Sequence, residues 1–305
     1  MELYRKYRPS CFEDVVGQDI AVKTIKKELE NGTHVFLFTG NAGCGKTTLA
    51  RIIAKEVGVG ELSLWEINSA DNRGIDTARD IQEKMRFNPS DGSAMMWILD
   101  EVHMTTVPAQ NALLKALEEV PESVYFCLCT TDPQKLIEPL KSRCSVINVK
   151  PLSNNDMTYL LKRTARAEKI KVGDEVYERI CELANGGSRR ALKLLAKVLY
   201  LENDEERLDA LADGDAEDNP ETIEFCRSLL NKNKANSLQM LKNIDVSDAE
   251  KVRQAVMGYM NAVILSGKSN PKAEAILQAF GEADTYRNGK VALTIAVLDA
   301  YDLIG

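Results

Sequence analysis

Between residues 34 and 149 short apolar runs alternate with segments of helical periodicity. The runs are HVFLFTG (34–40), LWEIN (64–68), MMWILDE (95–101), VYFCLCTT (124–131) and SVINV (145–149). The longer ones are apolar on successive residues rather than alternate ones, the pattern of strands covered on both faces in a parallel sheet. Between them, apolar positions recur at three- and four-residue spacing and predict helices over 46–57, 76–85 and 108–119. The last has the clearest start: Thr105 or Thr106 as cap, Pro108 in the first turn, and Ala109, Ala112, Leu113, Ala116 and Leu117 on one face. Strand–helix–strand repetition predicts a right-handed, doubly wound α/β domain over residues 1–150.

After Pro151 the strand pattern stops. Ser153 and Asp156 have capping-box spacing and open a helix. A second helix runs from about Asp174 to Leu183 and ends at Asn185-Gly186-Gly187, and a third begins at Ser188. These form a small helical unit, 151–202. Residues 220–305 again read as amphipathic helices, separated from it by 203–219. The separator is acidic: Glu202 to Glu221 holds ten acidic residues and one base, Arg207. It reads as a solvated linker. The 305-residue chain carries −7 in total, so the remainder is mildly basic and leaves nucleic-acid binding open.

Composition excludes several classes. At 44% hydrophobic and 28% charged the chain is an ordinary globular one, and no apolar run reaches membrane-spanning length. The start, MELYRKYRPS, has no signal-peptide core, so a cytoplasmic, non-secreted protein with no membrane partner is expected. Seven scattered cysteines without a CxxC pair read as reduced thiols. Cys127 and Cys129 are read as alternating between the two sides of their strand, which keeps them from sharing a metal. Two histidines argue against His-based metal or triad chemistry.

Chemistry enters with GNAGCGKT, Gly40 to Thr47, which follows the run VFLFT and opens a helix. This is GxxxxGK[ST] in its required strand–loop–helix setting. Backbone N–H groups of Gly43, Cys44, Gly45, Thr47 and Thr48 would curl around phosphate oxygens at a helix N-terminus. Lys46 would reach the β- and γ-phosphates, and Thr47 would ligate Mg²⁺. MMWILDEVH then ends a buried run on Asp100 and Glu101, at the strand end where α/β sheets place their ligands. Asp100 would hold Mg²⁺, partly through water, and Glu101 would polarise an attacking water. A second carboxylate beside the metal position favours hydrolysis over transfer to another acceptor.

Three further features are weaker alone. Thr130 and Thr131 end their strand where a hydroxyl could stand between water and phosphate, although Thr-Thr-Asp-Pro is also an ordinary turn. In NGGSRRALKLL, Ser188 reads as an N-cap that puts Arg189 and Arg190 in the first turn, against the helix dipole. That placement points to an anionic partner. In PLKSRCSVINV, Arg143 stands before a strand, and that cation needs a negative charge to meet.

Taken together, YRKYRPSCFEDVVGQ, GNAGCGKTT, LWEINSADNRGID, ILDEVHMTTVPAQNALLKALEE, TTDPQKLIEPLKSRC and GGSRRAL resemble clamp-loader AAA+ ATPases over residues 2–200. NSADNRGID is most similar to replication factor C small subunits; DEVH, ALLKALEE and TTDPQKL are more similar to the bacterial motor subunit, whose cysteine cluster is absent. The resemblance implies a P-loop AAA+ parallel-sheet domain, a helical lid (151–202) and an all-α collar (220–305). It implies ATP and Mg²⁺ as cofactors and an ATP phosphohydrolase as the activity. Arg8, Pro9, Val15, Val16, Gly17 and Gln18 match the segment that wraps the adenine. Thr131 matches a sensor position where many relatives have Asn, and Arg189 matches the lid arginine. Arg143, in SRC, matches an arginine finger that serves a neighbouring subunit. Arg73 matches a residue thought to restrain the catalytic glutamate.

The same resemblance implies other clamp-loader subunits as partners, in a pentamer with a distinct large subunit, together with a sliding clamp and primer–template DNA at the nucleoid. Arg73, Arg79, Lys84, Arg86 and Lys115, with Gln110 and Asn111, are candidates for DNA phosphates, although a solvated helix face also accounts for them. Other readings are a branch-migration or fork-repair AAA+ motor, and a structural clamp-loader subunit that binds nucleotide without hydrolysing it.

Overall fold

Five strands pair in parallel in the order β2–β3–β4–β1–β5: β1 (Val35–Thr39), β2 (Val59–Asn68), β3 (Ala94–Asp100), β4 (Val124–Thr130) and β5 (Ser145–Asn148). The computed structural model describes residues 2–87, 89, 91–217, 220–231, 234–243, 249–265, 270–283 and 289–304. They divide into two units, Met1–Tyr200 and Leu201–Gly305.

Both faces of the sheet are covered. Phe36, Phe38, Met96 and Ile98 pack with Ile25 of α2 (Asp19–Glu30) and with Leu49, Ile52 and Ile53 of α3 (Lys46–Glu56). Val35, Leu37, Trp97, Leu99 and Phe126 pack on the other face with Ala78 and Ile81 of α4 (Ile75–Lys84) and Leu113 and Ala116 of α5 (Val107–Glu118). Trp65, Trp97 and Phe126 stack in series across β2, β3 and β4, at 4.8 and 5.5 Å between centroids. Each large apolar side chain so enclosed contributes about 1.5–3 kcal/mol. Two-sided burial is therefore the reason the strands read as unbroken apolar runs.

Cys127 and Cys129 do not alternate between the two sides of β4. Both lie on the same face, in the cluster under α2 and α3, because strand side chains repeat every two residues. Burial pushes both thiols well above their ordinary pKa. β2 also begins earlier than its apolar run. Its first half is partly exposed, its register with β3 shifts between Val59 and Leu64, and it is also held by Asp91, whose carboxylate accepts from Leu62 N (3.0 Å) and Ser63 Oγ (2.6 Å).

The rest of the first unit is helical. Thr106, not Thr105, caps α5, accepting from Ala109 N. α6 (Glu138–Ser142) leads into β5. Ser153 caps α7 (Asn154–Ala167), accepting from Asp156 N at 3.2 Å and donating to its carboxylate at 2.6 Å. α8 (Asp174–Ala184) stops at Asn185, in left-handed conformation. α9 runs Ser188–Val198 with Gly187 as its cap, so Ser188 is the first helical residue rather than the N-cap. The short α1 (Leu3–Lys6) joins these helices through Glu168, which accepts from Lys6 Nζ (2.7 Å), Tyr7 Oη (2.6 Å) and Tyr200 Oη (3.3 Å). Its carboxyl is held below the usual range, first by the Lys6 hydrogen bond and then by that of Tyr7.

The second unit is a helical bundle: α10 (Asp204–Glu217), α11 (Pro220–Leu230), α12 (Lys234–Asn243), α13 (Ala249–Leu265), α14 (Pro271–Glu282) and α15 (Lys290–Ile304). Phe225, Leu229, Met260, Ile276, Phe280, Leu293 and Val297 form its core. The acidic stretch is helix rather than linker over Asp204–Glu217; residues 218 and 219 lie outside the described ones. Three acids in its first turn suit the helix dipole, Arg207 pairs with Asp204 at 2.5 Å, and Leu211 is fully buried. Among the described residues no helix is long and apolar enough to cross a membrane.

Candidate nucleotide site

β1, β3 and β4 deliver Gly40, Asp100 and Thr130 to one edge of the sheet, because parallel strands end together. The loop after β1 turns at Gly40 (φ +145°), where a Cβ would lie 2.1 Å from the carbonyl oxygen of Val149, and only glycine fits so close to the end of β5. At Gly43 (φ +74°) the loop meets the lid helix: its carbonyl accepts from Ser188 Oγ (3.0 Å) and Arg189 N (3.3 Å). A Cβ at Gly43 would stand 3.3 Å from that of Arg189. Gly43→Ala is expected to lower stability by about 1–2 kcal/mol from the left-handed backbone alone, read as a drop in thermal midpoint. An unchanged midpoint would mean that the loop does not hold this conformation.

Lys46 is buried and donates to the carbonyls of Gly40 (2.8 Å) and Asn41 (3.0 Å), which keeps its ammonium over the loop. The Thr47 hydroxyl donates to Asp100 Oδ2 at 3.0 Å, and Asp100 Oδ1 accepts from Glu101 N at 3.1 Å. Cys44 is buried in the loop, and burial raises its thiol pKa, against the opposing charge of Lys46. Thr48 faces the same cleft.

Glu101 has φ +50°, a left-handed conformation that costs a non-glycine residue about 1–2 kcal/mol. Its Oε2 lies 3.1 Å from Thr131 Oγ1, which donates to it, and 3.4 Å from His103 Nδ1. His103 in turn is 3.0 Å from Thr130 Oγ1. The glutamate is thus bracketed by side chains from two elements, and His103 is a site residue that sequence reasoning passed over. Its only signal was its place two residues beyond the acidic pair. Arg73 is elsewhere: its Nε donates to the carbonyl of Ala70 at 2.8 Å. Among the described residues the groups beside the Glu101 carboxylate are Thr131 and His103.

An open cleft lies over this edge, lined by Arg8, Pro9, Val15, Val16, Gln18, the 42–49 loop and turn, Asp100, Glu101 and Arg189. Ser188, read in the sequence only as a helix cap, lines it too, as do Tyr4, Tyr7 and Arg163, which were not singled out. Gly17 does not; it sits behind the wall, beside Leu152 and Asp156. Gln18 is tied up by backbone, donating to Lys150 O (2.6 Å) and accepting from Lys150 N (3.2 Å). Arg8 is lowered from its ordinary pKa by burial first, then by the like charge of Arg51. The donor set fits a magnesium nucleotide: paired hard oxygens on Thr47 and Asp100, a buried ammonium, a helix N-terminus, and the apolar wall of Val15, Val16 and Leu160 for a base.

Residues 61–153 match the family described as DNA polymerase III, delta subunit. The DNA polymerase III subunit tau of Bacillus subtilis (strain 168) is 33% identical over 311 residues, covering 93% of this chain and 55% of that protein. The subunit tau of Escherichia coli (strain K12) is 34% identical over 220 residues, covering 65% and 34%. The chain is a homologue of the gamma/tau clamp-loader subunits of DNA polymerase III. It spans about half the length of the Bacillus subtilis relative. Its fold is that of AAA+ proteins: the Thermotoga maritima RuvB Holliday junction branch migration motor superposes with a TM-score of 0.63 at 18% identity, over 82% of this chain and 90% of that one.

On this clamp-loader homologue Arg143 lies apart from the cleft. It follows α6 at the amino end of β5, whereas the cleft gathers at carboxyl ends. Its guanidinium pairs with Glu118 at 2.5 Å and donates to the carbonyl of Pro139 at 3.3 Å, with both ionic side chains partly exposed. Arg73, Arg79, Lys84, Arg86, Asn111 and Lys115 are exposed, on or beside α4 and α5, and Arg79 pairs with Asp76. Gln110 is not available to a ligand: it is buried, accepts from Ile137 N (3.0 Å) and donates to the carbonyls of Thr105 and Lys135.

Proposed function

We propose that this chain is an ATP-hydrolysing AAA+ motor subunit of a sliding-clamp loader, which with partner subunits opens the clamp and loads it on primer–template DNA. The observation that carries this reading is the set Thr47–Asp100 and Glu101–Thr131, assembled beside a phosphate-binding loop. Lys46 and the backbone N–H groups of 43–48 bind the phosphates; Thr47 and Asp100 hold Mg²⁺, partly through water. When bound, Mg²⁺ neutralises charge between the terminal phosphates. Glu101 orients the attacking water and takes its proton. Thr131 donates to the oxygen on which charge develops, and Arg189 brings the lid's cation to the same phosphate. Arg8, Pro9, Val15 and Val16 enclose the base.

Arg143, away from its own cleft, completes the site of a neighbouring subunit. Arg73, Arg79, Lys84, Arg86 and Lys115 meet DNA phosphates and track the duplex by shape rather than base sequence. The second unit, 201–305, acts as the collar that joins subunits, in a pentamer with a distinct large subunit at the replication site. Steady-state ATPase with partner subunits tests the proposal. Clamp and primed DNA together should stimulate hydrolysis; no stimulation by that pair, or a closed homohexamer by native mass spectrometry, removes the clamp-loader reading in favour of another DNA motor.

A further inference from the structure

Arg189 is poorly provided for by its own helix. It lies in the first turn of α9, where the dipole disfavours a cation, it is exposed, and among the described residues no carboxylate lies within ion-pair distance of it. What it does have is the ring of Tyr4, 5.8 Å from the guanidinium carbon to the centroid. Lys193, one turn further along the same face of α9, stands 5.8 Å from the same ring. Tyr4 is on α1, and both Tyr4 and Arg189 line the cleft. α1 is itself fastened, because Lys6 and Tyr7 both donate to Glu168 at the end of α7.

We infer that Tyr4 is a positioning residue for Arg189: its ring face holds the guanidinium at the mouth of the cleft, ready for the terminal phosphate of a bound triphosphate. The inference rests on the proposed role of Arg189 at that phosphate and adds to it a residue to which the sequence assigned no role. An arginine side chain with no anchor has many rotamers to lose on binding, and a contact that survives in the free protein removes part of that loss in advance. The ring quadrupole attracts the cation without neutralising it, as a carboxylate would, so the charge stays available to an anion. The Tyr4 hydroxyl is turned to other use, accepting from Arg5 Nε at 3.2 Å. The ring and the hydroxyl are therefore separable by substitution.

Titration of the full chain with Mg²⁺ and either a non-hydrolysable ATP analogue or ADP tests this. Tyr4→Leu should weaken the triphosphate analogue about two- to fivefold, the range expected of a cation–π contact, and leave ADP unchanged. Tyr4→Phe keeps the ring and should bind both as the parent does, and it also controls for folding. In an Arg189→Ala background Tyr4→Leu should add no further loss. Equal weakening of both nucleotides by Tyr4→Leu, or a Phe variant that behaves like Leu, overturns the inference. If Arg189→Ala itself leaves the preference for triphosphate unchanged, the assignment of Arg189 fails first, and the two failures are told apart.

Discussion

Glu101→Gln is expected to bind ATP as the parent chain does and to hydrolyse it about 10²–10⁴-fold more slowly, the usual contribution of a positioned general base. The amide is isosteric and can still accept from Thr131 Oγ1 at the 3.1 Å contact, so the strained turn at φ +50° and the neighbouring Thr47–Asp100 bond have no reason to change. What the amide lacks is a basic oxygen for the proton of the attacking water. Single-turnover hydrolysis and equilibrium binding, measured on one preparation, separate the two effects. Retention of the parental rate would remove Glu101 from the chemistry and leave His103 as the nearest alternative base. Loss of binding instead would mean that Glu101 shapes the cleft.

Arg143→Ala carries the second large effect, in a different assay. The isolated chain should bind ATP unchanged, since Arg143 lies at the amino end of β5, away from the cleft. In the assembly stimulated by clamp and primed DNA, hydrolysis should fall by about 10³–10⁵, the range for an arginine finger supplied by a neighbour. The ion pair with Glu118 lends the prediction an internal control. Both partners are partly exposed, so breaking the pair alone costs at most about 1 kcal/mol and should not unfold the chain. Glu118→Gln frees the guanidinium without removing it and should keep the stimulated rate. If Arg143→Ala loads clamps normally, the residue is only a strand-end cation held by Glu118.

Much of the site was legible before any fold was known. The loop 40–47 and the pair Asp100–Glu101 are local signals: an unbroken apolar run predicts the strand, and the residues just after that run must stand at the strand's carboxyl end. Gln18 and Gln110 show the limit of that logic. Each is polar within a promising segment, yet Gln18 binds both backbone groups of Lys150 and Gln110 bridges α5 to Lys135 and Ile137. A side-chain amide that satisfies buried backbone looks, in sequence, like one waiting for a ligand. The same holds for Ser188, whose hydroxyl satisfies the carbonyl of Gly43 rather than its own helix.

The sequence alone therefore determined the five strand runs, the helices α3 to α5, the parallel α/β class and the residues that end β1 and β3, because strand runs, glycine-rich turns and helix caps are decided within a few neighbouring residues. The tertiary structure alone decided the strand order, the bracketing of Glu101 by Thr131 and His103, the docking of α9 on Gly43, and the place of Tyr4 beside Arg189. Most of these join residues tens of positions apart, and Tyr4 and Arg189 lie 185 apart. Which distant group meets which is set by packing two covered sheet faces and an edge, and no short stretch of chain carries that information.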